Sequence, residues 1–390
     1  MFHPPTIIYV MFLIFAGTAV LSTMALFTRQ SLLIAYIALG AIFGPWGLEL
    51  IKDPVLIKQS GDIGIIFLLF LLGLDLQPQN LLHSLRKMSM VTLISSVIFF
   101  LCGFIISYLC KFTFAECIII GFAMMFSSTI IGLKLLPTTI LHHQHTGELM
   151  ISILLLQDLI AIAVLLVLQG IGDSAFSFHD LGFIICGFPV LLIIGYLFQR
   201  FVIAKLLQLF DTIHEYIFIL SIGWCLCMAE LGYFMGLTEE IGAFIAGVAL
   251  ASNPISLYIA ESLKPLRDFF LVIFFFSIGA SFNFEYLPTV IVPAAAIAIV
   301  MLVAKPVVFG WLLKKSGESK AIGWEVGVRL GQISEFSLLV AALALHTNLM
   351  SIAANYTIQA ATILTFIVSC YWVVHRYPTP LAATAKLRRD

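Results

Sequence analysis

Residues 154–161 read LLLQDLIA, which sets Gln157 and Asp158 side by side within an apolar run from about Gly147 to Gln169. An ionised carboxylate at the centre of a bilayer costs on the order of 3 kcal/mol on insertion scales, so Asp158 needs a proton, a bound cation or a basic side chain to neutralise it. Reversible ion binding is the chemistry such a group can do. The basic partner on offer is Lys305 in MLVAKPVVF (301–309), apolar on both sides and followed by a helix-weakening proline, Pro306. An ammonium beside the carboxylate would hold the pair charged while the site is empty and part from it when another cation arrives. A purely structural salt bridge between helices is the alternative for the same two residues.

Two polar interruptions of apolar segments complete the set. In FSSTIIGLKLLP (126–137), Ser127, Ser128 and Thr129 follow one another; in GVRLGQISEFSLLVA (327–341), Arg329, Gln332, Ser334 and Glu335 are polar. Hydroxyls compete with the helical backbone for its hydrogen bonds, and unwound carbonyls with hydroxyls can replace a cation's water. The expected ion- and proton-binding set is therefore Asp158, Gln157, Thr129, Ser128 and Ser127, with Lys305 as charge partner and Ser277 and Ser281 as secondary candidates. Arg329, Gln332 and Glu335 are expected to support the second interruption by balancing helix ends. The competing reading is that the hydroxyls bond back to their own helices. In LHHQHTGE (141–148), His142, His143 and His145 are placed where they could sense pH.

The elements that must hold these residues follow from composition. Of 390 residues, 61% are hydrophobic and 11% charged, which is the composition of an integral membrane protein. A net charge of -1 with no basic, aromatic-interleaved patch excludes nucleic acid as a partner. The seven cysteines show no paired CxxC spacing, so neither a disulfide framework nor a transition-metal site is expected. No cofactor motif and no nucleophile with a nearby base is present, so an enzyme is not expected. The first apolar run, Thr6 to Phe27, is preceded by no Lys or Arg and followed by Arg29, the reverse of a signal peptide, and is expected to remain as a spanning helix.

The fold class that results is an all-α membrane protein with thirteen transmembrane helices, at about 5–27, 31–48, 61–76, 88–110, 115–137, 147–170, 180–204, 213–234, 238–252, 265–282, 286–313, 320–346 and 352–374. With the first residue outside, fifteen of the twenty Lys and Arg fall on the cytoplasmic side and only Lys52, Lys58 and Lys111 outside. Lys305 and Arg329 are the two that remain within spans. LGAIFGPWG (39–47) is echoed by IGAFIAGVA (241–249), and FLLFLLGLDL (67–76) by VIFFFSIGASF (272–282), each seven spans on. An odd offset inverts the second copy, which predicts inverted-topology repeats with two broken crossover helices. A single membrane domain over 1–390 divides into repeat one at about 1–170, a linker helix at about 180–204, repeat two at about 213–375 and a short tail at 376–390.

With these features in place, the chain resembles the monovalent cation:proton antiporters, and within them the potassium:proton exchanger branch that includes the membrane domain of glutathione-gated potassium efflux systems. The residues that carry the resemblance are GAIFGPWGLE (40–49), GIIFLLFLLGLDL (64–76), SSTIIGLKLL (127–136), LLLQDLIAI (154–162), IGAFIAGVALA (241–251), FFFSIGASFN (274–283), VAKPV (303–307) and GQISEF (331–336), in family order. The resemblance implies exchange of K+, or alternatively Na+, for H+ by competition at Asp158. Glutamine at 157, where some relatives carry a second acid, implies one proton per cation. It also implies a homodimer in a cell membrane, the bacterial inner membrane, with no cofactor beyond the transported cation. The sequence after residue 376 carries no GxGxxG, so glutathione gating is not carried over, and GQISEF stands where a glycine pair often precedes the glutamate. A sodium-coupled symporter of organic anions and a passive cation channel are the readings from other classes.

Overall fold

The computed structural model describes residues 7–28, 30, 32–51, 54–75, 78–136, 141–172, 178–210, 213–251, 253 and 255–379. Within a bilayer every backbone donor and acceptor needs an internal partner, and apolar runs of this length meet that demand as helices. In chain order they are α1 (Ile7–Phe27), α2 (Leu32–Phe43), α3 (Pro54–Asp75), α4 (Pro78–Leu109), α5 (Phe114–Met124), α6 (Thr129–Lys134), α7 (Leu141–Gly172) and α8 (Phe178–Phe198). After a π-helical turn at Gln199–Ile203 come α9 (Ala204–Leu209), α10 (His214–Phe234), α11 (Glu239–Ala251), α12 (Ser256–Ser281), α13 (Leu287–Lys315), α14 (Lys320–Arg329), α15 (Glu335–His346) and α16 (Ile352–Arg376). No strand occurs among the described residues.

Each of the thirteen segments expected from the sequence carries helix. By length and composition, seven helical stretches among the described residues suffice to cross a membrane: Ile7–Phe27, Met88–Leu109, His145–Leu168, Gly187–Leu209, His214–Phe234, Phe284–Lys315 and Ile352–Arg376. Leu32–Phe43, Gly61–Leu74, Phe114–Met124 and Glu335–His346 are shorter apolar helices. Arg29, Lys52 and the tail beyond Thr379, with Lys386, Arg388 and Arg389, lie outside the described residues.

The helices sort into two compact units. One gathers Met1–Ala19, Tyr36–Leu81 and Ser174–Phe282. Within it α3 packs on α11 and α12, and α10 on α11. All four echoing segments of the sequence meet here. Their small residues allow backbone-to-backbone approach: a Cβ on Gly279 of α12 would strike the Ile37 carbonyl of α2. Gly40 and Gly44 abut the same stretch of α12 from the other side, so their close packing is made within this chain.

The second unit gathers Val20–Ala35, Leu82–Asp173 and Asn283–Asp390. In it α13 packs on α14 and α16, while α15 packs on α5, α7 and α16. Its defining feature is a pair of interrupted helices. The first stops at Met124 and resumes at Thr129; the second stops at Arg329 and resumes at Glu335. Both fall on the hydroxyl-rich stretches of the sequence, and Ser334 marks the restart by accepting a hydrogen bond from the Phe336 amide. At Gly327 the absent side chain lets α14 lie against the backbone of Pro306 on α13, which brings the neighbouring Lys305 level with the second interruption.

Candidate ion site

Asp158 lies on α7, wholly removed from solvent. Thr129, the first residue of α6, donates to it, with Oγ1 at 3.2 Å from Oδ2 and 3.4 Å from Oδ1. The restart of the first interrupted helix therefore aims a hydroxyl at the carboxylate. Glu335, which begins α15 and is 9% exposed, is a second acidic group in electrostatic reach of Asp158.

The other residues expected at the ion are spent on the interruptions themselves. The Gln157 amide spans the first gap, its Oε1 accepting from the Ser127 N–H at 3.0 Å and its Nε2 donating to the Met125 carbonyl at 3.1 Å. Ser128 Oγ accepts from the Ile131 N–H at 3.1 Å, a cap on α6. Ser127 Oγ crosses to the other interruption and donates to the Leu330 carbonyl at 3.0 Å. Gln332 answers from that side, its Nε2 lying 3.3 Å from the Ser128 carbonyl. Ser128 thus bonds back to its own helix, as in the competing reading, whereas Ser127, Gln157 and Gln332 bond between chain segments.

Lys305 requires a correction. The sequence pairs it with Asp158, but among the described residues no ion pair joins the two. The fully buried ammonium donates to the Phe126 carbonyl at 2.6 Å, the Gln332 carbonyl at 2.8 Å and Ser127 Oγ at 3.1 Å. Those three acceptors use all three of its N–H bonds. The reason is local: Phe126 and Gln332 lie just past the carboxyl ends of α5 and α14, where carbonyls lose their helical partners and partial negative charge collects. A point charge with three rotatable donors satisfies both ends at once. The ring of Phe99 stands 5.5 Å from the ammonium and completes its surroundings.

Arg329 closes α14 and is nearly fully buried. Its Nε donates to Glu325 at 2.9 Å. Ser277 and Ser281, the secondary candidates, lie on α12 in the other unit, and Ser277 Oγ bonds back to the Phe274 carbonyl at 2.8 Å. Of the loop histidines, His145 bonds Glu318 at 2.8 Å; the side chains of His142 and His143 lie outside the description.

Sequence reasoning placed a span at 352–374 but missed the part α16 plays at the second interruption. Thr365 Oγ1 accepts from the Ile333 N–H at 3.1 Å, and Ser369 Oγ donates to Gln332 Oε1 at 2.9 Å. The signal was there, because Thr362, Thr365 and Ser369 recur at helical spacing along one face of TILTFIVSC. Ser337, whose hydroxyl bonds the Ala123 carbonyl and so ties α15 to α5, was passed over too.

Residues 10–375 match the sodium/hydrogen exchanger transmembrane family. Similar curated proteins include K(+) efflux antiporter 6 of Arabidopsis thaliana, 28% identical over 330 residues that cover 82% of this chain and 55% of that protein. K(+) efflux antiporter 4 of the same plant is 26% identical over 349 residues, covering 87% and 58%. The chain thus spans little more than half the length of these relatives. Among solved structures, the sodium proton antiporter MjNhaP1 from Methanocaldococcus jannaschii shares the fold with a TM-score of 0.71 at 17% identity, over 94% of this chain and 95% of that one.

Proposed function

The chain belongs to the sodium/hydrogen exchanger family, and from that premise we propose that it exchanges one monovalent cation, K+ in preference to Na+, for one H+ by alternating occupancy of Asp158. The observation that carries this is that, among the described residues, no cationic side chain pairs with the carboxylate. Asp158 is completely buried and, among the described residues, its partner is a neutral hydroxyl. The chain's own buried ammonium is committed to three other acceptors. A carboxylate in that position must be neutralised by something the protein does not supply, and H+ and a small cation are the two species that fit.

Thr129 orients the carboxylate in either state. Lys305 and Gln157 hold the two interruptions as a fixed frame beside the carboxylate. Glutamine at 157 leaves one acid at that point of α7, consistent with electroneutral turnover. The preference for K+ draws on the relatives named K(+) efflux antiporters. The order of the interrupted helices in the second unit and the echo of motifs in the first support an inverted repeat; the count of thirteen crossings with the N terminus outside rests on the apolar segments and the Lys and Arg distribution, and the homodimer on the resemblance alone.

The test is a pH-gradient exchange assay in proteoliposomes, titrated separately with K+, Na+ and Li+. Cation-dependent collapse of the gradient, half-saturating at lowest concentration with K+, is expected from the native protein and none from Asp158→Asn. Exchange that persists in Asp158→Asn refutes the assignment. Conductance without a pH gradient points instead to a channel.

A further inference from the structure

The chain leaving α16 is fastened to both interruptions through one side chain. Besides its bond to Glu325, Arg329 donates from Nη1 to the Leu135 carbonyl and from Nη2 to the Pro378 carbonyl, both at 2.9 Å. Its guanidinium carbon lies 5.3 Å from the centre of the Tyr377 ring. Burial, with Glu325 nearby, holds the Tyr377 phenol above its usual pKa, so the ring beneath the cation stays neutral at physiological pH. Tyr377 is in extended backbone (φ -122, ψ 155), and Thr379 two residues on is fully buried, so the exit segment is packed into this unit.

What Arg329 holds at its other two ends bears on the ion. Leu135 directly follows α6, whose first residue is Thr129, the donor to Asp158. Leu330, next to Arg329, offers its carbonyl to Ser127. Two short paths therefore run from the exit segment to the interruptions, one through the six residues of α6 and one through the peptide after Arg329. Balancing the α14 dipole needs only a positive charge near its last turn. A planar fork reaching a carboxylate and the carbonyls of two distant segments does more than that, and a lysine cannot reproduce it.

We infer that Arg329 is a positioning residue through which the segment Tyr377–Thr379 sets the placement of Thr129 and Ser127, and with it the affinity for the cation. The inference rests on the proposed exchange at Asp158. Its ligand is the chain's own exit segment, and the contact to be perturbed lies outside the membrane-spanning part of α16.

The test uses the full chain. Arg329→Lys, Tyr377→Ala, Tyr377→Phe and the double variant Arg329→Lys with Tyr377→Ala are compared in proteoliposomes for half-saturating cation concentration and maximal rate separately. Cation-induced thermal stabilisation in detergent serves as a binding readout independent of transport. Arg329→Lys and Tyr377→Ala are each expected to shift half-saturation by about five-fold or more. Tyr377→Phe should match the native protein, and the double variant should be no worse than the more severe single one. Unchanged half-saturation with a maximal rate that falls only with the amount of folded protein overturns the inference, as do effects that multiply in the double variant. Should Arg329→Lys fail to fold, Tyr377→Ala and Glu325→Gln carry the same comparison. If Asp158→Asn abolishes exchange while these variants keep native affinity, the inference fails and the function stands. If Asp158→Asn still exchanges, the function itself fails.

Discussion

Replacing Lys305 with methionine separates two roles that the sequence could not. Methionine keeps most of the volume but removes three donors, and leaves the Phe126 and Gln332 carbonyls and the Ser127 hydroxyl without the ammonium they share. Hydrogen bonds to charged groups contribute about 1.5–3 kcal/mol each, so the gross loss is roughly 5–9 kcal/mol. Relief of the buried ammonium's desolvation, several kcal/mol, offsets much of this and leaves a net destabilisation of about 1–4 kcal/mol. The sharper quantity is the coupling to Asp158. Breaking a buried contact ion pair costs about 3–5 kcal/mol, and a double-mutant cycle would return most of it. With Lys305 bonded to carbonyls, the cycle Lys305→Met with Asp158→Asn should return less than about 1 kcal/mol. Equilibrium unfolding of the four proteins in mixed micelles measures it, with Lys305→Gln expected to recover part of the stability through its two amide donors. A coupling of about 3 kcal/mol or more would refute the placement of the ammonium at the helix ends.

Two further outcomes follow from the geometry. Thr129→Val removes the hydroxyl that donates to Asp158 while keeping its shape, and at 3.2 Å that bond is worth about 1 kcal/mol, or roughly a five-fold rise in half-saturating cation concentration; Thr129→Ser should restore the native value in the exchange assay. Gly279→Ala drives a Cβ into the Ile37 carbonyl, where backbone cannot yield as a side chain would, and should cost about 3 kcal/mol in the same unfolding experiment; a native melting profile would contradict the close approach of α2 and α12.

The helices and their interruptions were legible because their physical causes are written in residue type. Apolar length dictates helix in a bilayer, and Ser127–Ser128–Thr129 and Gln332–Ser334–Glu335 mark where that pattern is broken. Asp158 was legible for the same reason, a charge that hydrocarbon does not tolerate. The partner of Lys305 was not. Its acceptors are backbone carbonyls freed by the interruptions, and every residue carries a carbonyl, so no side-chain pattern distinguishes those of Phe126 and Gln332. The tendency to match each buried cation with the nearest buried anion therefore misled. Gln157 shows the same effect: its position beside Asp158 suggested a shared ion, whereas the amide donor and acceptor fit the two backbone groups left open at Met125 and Ser127. The reach of Arg329 to Leu135 and Pro378, separated from it by 194 and 49 positions, depends on tertiary placement that spacing does not encode.

The central claim is that one carboxylate holds H+ and the cation by turns, and calorimetric titration of the purified protein with K+ in buffers of differing ionisation enthalpy tests it most directly. Near the midpoint of the pH range for exchange, native protein should release up to one proton for each cation bound, and Asp158→Asn should release none. Cation binding without proton release in the native protein, or undiminished release from Asp158→Asn, would contradict it.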